Sequence, residues 1–438
     1  MPVRCTLAAP ASILYLSTLS CCHSVNLFVK NIAQLVTVSA HRKRNKIGAG
    51  MRDLGIIREA GVLCRNGKIA WAGPMTEWNQ RLPEEVGEFD ASGMVVLPGF
   101  VDAHTHMMFA GDRSAEFGMR AEGATYQQIA ERGGGILSTI QHVRSASKKD
   151  LKRRTARFLN EMMRHGTTTV EIKSGYGLDM DSEIKMLEGI TELRDEEMMT
   201  VVPTFIGAHA IPPEFRARPA EYTDLVTQKM IPYVGKKRLA AFCDVFCEEG
   251  YFGLEESERI LREGKRWGLE AKIHAEELTP LGGAQLAAKL GAVSADHLEH
   301  VSPEGISALR DAGVVAVLLP GVSFFLNHGY APARALIDAG VAVAIASDFN
   351  PGSCMSFSMP LMMTIACTHM RMTPEEALTA TTLNGAAALG VSESCGSIEV
   401  GKSADLIVAE VPDYRHLAYH FGSNLIRKTI KNGTLLEF

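Results

Sequence analysis

The chain is 438 residues long, with 46% apolar and 22% charged residues, globular proportions that leave room for one large barrel with additions or for two to three domains. A formal net charge of -5 argues against a nucleic-acid partner, and no stretch is long and apolar enough to span a bilayer. Nine cysteines without zinc-ribbon spacing, beside 20 methionines, suit a reducing, cytoplasmic setting.

Residues 1–25 read as a disordered N-terminal extension; Arg4 and the mildly apolar run 11–19 make a weak signal-sequence pattern that serine and threonine interrupt. Residues 26–38 read as strand, and the basic stretch 41–46 as a solvated loop. Runs 61–64 and 68–73 flank Asn66-Gly67, which predicts a tight hairpin. The C-terminus has the same texture: 401–408, 426–430, Asn432-Gly433 and 434–436. Two β-rich ends around a different middle predict a small β-sandwich-like domain built from both, residues 26–96 and 393–438, around a larger unit at 97–392.

That middle alternates. Strand-like runs at 99–103, 167–172, 200–206, 241–247, 269–275, 292–298, 314–319 and 341–346 are separated by helical patterns such as 151–164, 182–194, 257–267, 279–290 and 303–312. Eight strands with crossover helices predict an α/β fold, the (β/α)8 TIM barrel. An open doubly wound sheet is disfavoured because its dinucleotide fingerprint is missing. Gly133-Gly134-Gly135 also lacks the Lys-Ser/Thr of a phosphate loop, and reads as a tight turn where backbone approaches a ligand.

In a barrel of this kind, chemistry collects at the C-terminal ends of the strands. Six of the eight runs end in polar or charged groups: His104 and His106; Glu171 to Gly177; His209; His274-Ala275-Glu276-Glu277; His297-Leu298-Glu299-His300; and Ser347-Asp348-Phe349-Asn350. One such group is commonly structural, whereas six together are costly to cluster without function. His104 and His106, at i and i+2 on a strand, point the same way and can share a divalent ion. His104, His106, His274 and Asp348 make a three-imidazole, one-carboxylate set that suits zinc or iron(II), and an ion there lowers the pKa of its water.

The run Leu97-Pro98-Gly99-Phe100-Val101-Asp102-Ala103-His104-Thr105-His106 resembles the signature of the amidohydrolase superfamily, metal-dependent barrel hydrolases of ring amides, amidines and esters. Gly111-Asp112-Arg113, Gly123-Ala124-Thr125-Tyr126, Lys173-Ser174-Gly175-Tyr176-Gly177, Gly207-Ala208-His209, His274-Ala275-Glu276-Glu277 and Ser347-Asp348-Phe349-Asn350-Pro351-Gly352 resemble its imidazolonepropionase family, over roughly residues 26 to 438. Many superfamily members bridge two metals with a modified lysine on the fourth strand; here that strand ends in Cys247-Glu248, so one ion is expected. The resemblance implies ring opening of 4-imidazolone-5-propanoate to N-formimidoyl-L-glutamate, in histidine degradation, by a cytoplasmic homodimer. It implies Asp348 and Glu277 as proton shuttles and His297 on the carbonyl oxygen or the water. Arg113 is expected on the propanoate, Tyr176 and His209 as neutral donors, and Asn350, Gly352 and Ser353 on the polar edge of the ring, with Tyr126 a further contact. A salt bridge to Asp112 or Glu116 is the structural alternative for Arg113. A cytosine- or guanine-type deaminase would have no use for Arg113, and a metal-free scaffold would have lost the His-x-His pair or Asp348.

Overall fold

The computed structural model describes residues 26–41, 43–79, 82, 85–124, 128 and 133–438. The expected extension 1–25 and Tyr126 lie outside the described residues. From the N-terminal side come β1 (Asn26–Val36), β2 (Ile56–Arg65), β3 (Lys68–Pro74), β4 (Val86–Asp90) and β5 (Val95–Pro98). The barrel strands follow: β6 (Phe100–Asp102), β7 (Thr167–Lys173), β8 (Thr200–Ala208), β9 (Phe242–Cys247), β10 (Glu270–Ala275), β11 (Ser294–His297), β12 (Val315–Leu318) and β13 (Val343–Ile345). The chain closes with β14 (Leu406–Ala409), β15 (Ile426–Lys431) and β16 (Thr434–Leu435).

Strands from the two ends share one sheet, in the order β16-β15-β14-β5-β1-β2-β3, with β4 also against β1. The first half of β1 pairs parallel with β4 and the second half with β5, so the sheet forks along that strand. Val29, Ile32, Val62, Ile69, Val96, Leu406 and Ile430 pack there as a cluster separate from the main core. Both Asn-Gly pairs turn antiparallel hairpins, with Asn66 and Gly67 at φ 51° and 77° and Asn432 and Gly433 at 49° and 74°, as type I′ geometry requires.

Strands β6 to β13 run parallel, each paired with the next. Their residues are almost all buried, which is why they read as near-continuous apolar runs. The ring closes beyond the ends of β6 and β13. There Asp348 N donates to His104 O and His106 N to Phe349 O, each at 3.0 Å, around a parallel bridge between Thr105 and Phe349. The (β/α)8 barrel is therefore present.

Helix Lys148–Arg164 shows how the outer layer is specified: Ser147 caps it by accepting from Asp150 N, and Leu151, Thr155, Leu159 and Met162 at helical spacing face the barrel. Several expected elements are shorter than predicted, the barrel strands by a residue or two at their ends, and two lose their whole first part. The helix over 279–290 spans only Gly283–Leu290, because Glu248 accepts from Leu278 N and Thr279 N and holds that approach as a loop. The strand over 401–408 shrinks to Leu406–Ala409 after a turn in which Gly401 takes φ 94°.

Candidate active site

Alternation along the first barrel strand aims Asp102, His104 and His106 inward. The His104 and His106 rings lie 5.3 Å apart between centroids. His274, at the end of β10, brings its Nε2 to 3.3 Å from His106 Nε2 and its ring to 4.5 Å from that of His104. Asp348, just past β13 and held at φ 47°, places Oδ1 3.6 Å from His104 Nε2 and 3.9 Å from His106 Nε2. The four residues expected as ligands thus converge. His104 Nε2 and Asp348 Oδ1, which face each other there, are buried without a hydrogen-bond partner among the described residues, as lone pairs that would hold an ion are. Burial pushes the His104 and His106 pKa well down, into the neutral form that binds a metal. Three imidazoles and one carboxylate fit zinc or iron(II).

Beneath these ligands lies a layer that the sequence reading did not assign. His104 Nδ1 sits 2.7 Å from Asp296 Oδ2, and His274 Nδ1 sits 3.2 Å from Asp244 Oδ1. A carboxylate at Nδ1 takes that N–H and leaves Nε2 with its lone pair, fixing tautomer and ring orientation. Lys173 Nζ lies 2.7 Å from Asp244 Oδ2 and 2.8 Å from Glu171 Oε2. Lys272 Nζ lies 3.2 Å from Glu171 Oε1 and donates to Ala103 O at 3.1 Å. Burial opposes the charge of Lys173, but Asp244, Glu171 and Asp296 together raise its pKa and keep it an ammonium. A signal for this layer was present: Glu171, Asp244, Lys272 and Asp296 are charges inside strands that are otherwise apolar.

Above the ligands opens a cavity of about 760 Å³, lined by Arg113, Tyr176, His209, Glu277, His297, Asp348, Asn350, Gly352 and Ser353, every described substrate or catalytic candidate. Glu277 Oε2 faces His297 Nε2 at 3.5 Å. Burial first, and then the Glu299 and Glu248 carboxylates, push Glu277 up to about 8. Glu276 takes φ 58°, is 1% exposed and is not among the residues that line the cavity. His297 and Leu298 take φ 80° and 69°, a left-handed pair that lifts the His297 ring out of the strand direction.

Some roles differ from expectation. His209 stacks on His106 at 4.6 Å, and its Nδ1 donates to Gly175 O at 3.0 Å. Burial lowers its pKa to about 4, so the neutral ring turns an Nε2 lone pair outward; it is an acceptor there, not the expected donor. Asn350 is spent within its own turn: Nδ2 donates to Asp348 O and Ser353 Oγ, and Oδ1 accepts from Gly352 N and Ser353 N. Its amide shapes the turn and leaves the edge contacts to Gly352 and Ser353. Arg113 lines the cavity and is also paired with Glu116, at 2.8 Å. Arg120, beside it, was not anticipated.

The amidohydrolase family model matches residues 95–436. The imidazolonepropionase of Parabacteroides distasonis is 48% identical over 410 residues, 93% of this chain and 98% of that protein. Those of Porphyromonas gingivalis and Geobacillus kaustophilus are each 47% identical over 94% of this chain, covering 98% and 97% of their own lengths. Among solved structures, a triazine hydrolase variant superposes with a TM-score of 0.72 at 17% identity over 94% of each chain. An adenosine deaminase from Xanthomonas campestris with bound zinc gives 0.69 at 19%, covering 94% of this chain and 92% of that one. Those two show the shared fold; the near-full-length relatives show more, and the chain belongs to the amidohydrolase family and, within it, to the imidazolonepropionases.

Proposed function

We propose that this pocket opens the ring of 4-imidazolone-5-propanoate with water, giving N-formimidoyl-L-glutamate, with one divalent ion per subunit held by His104, His106, His274 and Asp348. The observation that carries the reading is the convergence of those four ligand groups under a cavity whose wall holds Glu277 and two arginines. When bound, the ion supplies a water of lowered pKa and polarises the scissile carbonyl. The remaining work falls to the chain. Glu277, neutral below about pH 8, donates a proton to the ring nitrogen that leaves as the amide bond breaks. His297, 3.5 Å from Glu277, holds the carbonyl oxygen or the water; Asp348 is the alternative shuttle. The His209 Nε2 accepts from a ring N–H, and Tyr176, Gly352 and Ser353 bound the ring's polar edge. Arg113 faces the propanoate.

Several further points belong to this reading. Lys173 is held by three carboxylates and is not a free amine for a bridging modification, which supports one ion rather than two. Zinc and iron(II) both suit the donor set. Residues 26–96 with 393–438 act as one β domain carrying the barrel of 97–392. The six described cysteines are unpaired, which supports a cytoplasmic setting, and a homodimer is the expected assembly. The test is metal analysis of the purified chain beside the loss of imidazolone absorbance. About one equivalent of zinc or iron per subunit, with turnover removed by a chelator and restored by the metal, is the expected result. Two tightly bound ions, or turnover that survives complete metal removal, would overturn it.

A further inference from the structure

Two guanidinium groups line the cavity, and among the described residues only one of them forms an ion pair. Arg113 Nε and Nη2 both lie 2.8 Å from Glu116 Oε2. Glu116 Oε1 accepts from Gly135 N at 2.9 Å, so this carboxylate is fixed between the glycine turn and Arg113. Both side chains are largely buried, at 12% and 9% exposure. Seen from the cavity, Arg113 and Glu116 form a nearly neutral pair.

Arg120 sits on the same helix, Ser114–Ala121, one turn beyond Glu116. Its Nη2 donates to Gly352 O at 3.0 Å, and its guanidinium lies 5.4 Å over the Phe325 ring. Among the described residues it forms no ion pair. Gly352 is the contact between the two arginines: its carbonyl takes Arg120, and a Cβ there would fall 2.2 Å from Arg113 Nη1. A side chain at position 352 would push the Arg113 guanidinium from where it stands beside the Arg120 contact. The charges of Arg113, Glu116 and Arg120 sum to +1, which matches a single carboxylate.

We infer that Arg120 supplies the net positive charge that selects the substrate's carboxylate, that Arg113 supplies directional hydrogen bonds to it, and that Glu116 is the positioning residue for Arg113. This rests on the reading of the cavity as a site for a ring bearing an anionic tail. The Phe325 ring face beside Arg120 attracts the guanidinium without neutralising its charge, and a guanidinium can keep one N–H on a carbonyl while offering others to a carboxylate.

The experiment compares 4-imidazolone-5-propanoate with its neutral carboxamide in the wild-type holoenzyme and in R120M and R120K. The wild type is expected to prefer the acid, and R120M to erase most of that preference, lowering kcat/KM for the acid about 10–100-fold through KM while the amide moves by less than about threefold. R120K, which keeps charge and stem, recovers most of the loss and guards against a folding defect. Equal losses for acid and amide would mean that Arg120 only shapes the wall, and an unchanged KM for the acid in R120M would mean that Arg113 suffices; either overturns the inference. A wild-type protein that opens neither ring overturns the underlying reading as well, and is told apart by failing before any substitution is made.

Discussion

Glu277 illustrates how one side chain acquires a role from its surroundings. Its carboxyl stands 3.5 Å from His297, and burial together with Glu299 lifts its pKa to about 8. Glu277→Gln should keep fold, metal and most substrate affinity while kcat falls roughly 10²–10⁴-fold, the scale of general acid–base help. The companion Glu276→Gln, altering a carboxylate that does not line the cavity, should turn over normally; the reverse pattern in steady-state kinetics would move the acid to Glu276. The pH dependence follows from the sign of the shift. The proton donor is present below about 8 and is lost as pH rises through that value, so kcat should decline on the alkaline side. Folding shows the same sign: the raised carboxyl binds its proton more tightly when folded, so its contribution weakens as pH climbs from the usual 4.5 to about 8. Melting curves of Glu277→Gln should match the wild type at pH 4 and gain on it toward pH 9. The His-x-His pair and Asp348 were legible from residue type and position at strand ends, and this glutamate from the family resemblance. The acceptor role of His209 was not, because it depends on a tautomer set by Gly175 O, a contact between separate strands.

At the level of elements, the eight barrel strands were legible because burial on both faces leaves near-continuous apolar runs, and helix Pro303–Ala312 because Ser302 caps it and proline opens it. What stayed hidden was the interior of those strands. Asp244 and Asp296 lie on β9 and β11, yet they act on histidines of β10 and the first strand, and no local pattern announces a partner that far away. Replacing Asp244 with Asn removes the anion that orients His274. Metal affinity should drop about 10–100-fold in a chelator competition, while circular dichroism stays as in the wild type. Lys173→Met is predicted to be harsher. It strands Glu171 and Asp244 among buried groups, and denaturant titration should show a loss of about 3–5 kcal/mol. An unaltered midpoint would mean that this cluster neutralises itself by proton uptake instead. The left-handed pair at His297 and Leu298 was equally illegible, since a leucine rarely adopts that backbone and no glycine or asparagine marks the place.

Across the whole molecule, the two chain ends are tied into one sheet, with β14 seated between β15 and β5. The buried Lys431 links that sheet to the barrel, with Nζ 2.7 Å from Asp405 and 2.8 Å from Thr200 Oγ1 on β8. A chain ending at residue 400 bares the β5 edge and removes Ala404, Leu406, Val408 and Ile430 from the small apolar cluster, and should aggregate rather than unfold in one transition on heating. The β-rich texture of both ends made their partnership legible; the forked pairing along β1 depends on the bulge between Val29 and Ile32 and was not. The barrel's seam has a consequence of a mechanical kind. First and last strands of the ring meet through two backbone hydrogen bonds at 104–106 and 348–349, and His104, His106 and Asp348, three of the four proposed metal ligands, spring from those same few residues. An ion gripped from both sides works as a clasp on a hoop. Stripping it should loosen the circumference at that joint before anywhere else, so amide hydrogen exchange in the apo protein should accelerate at 104–106 and 347–350 while the rungs between β7 and β12 keep their protection.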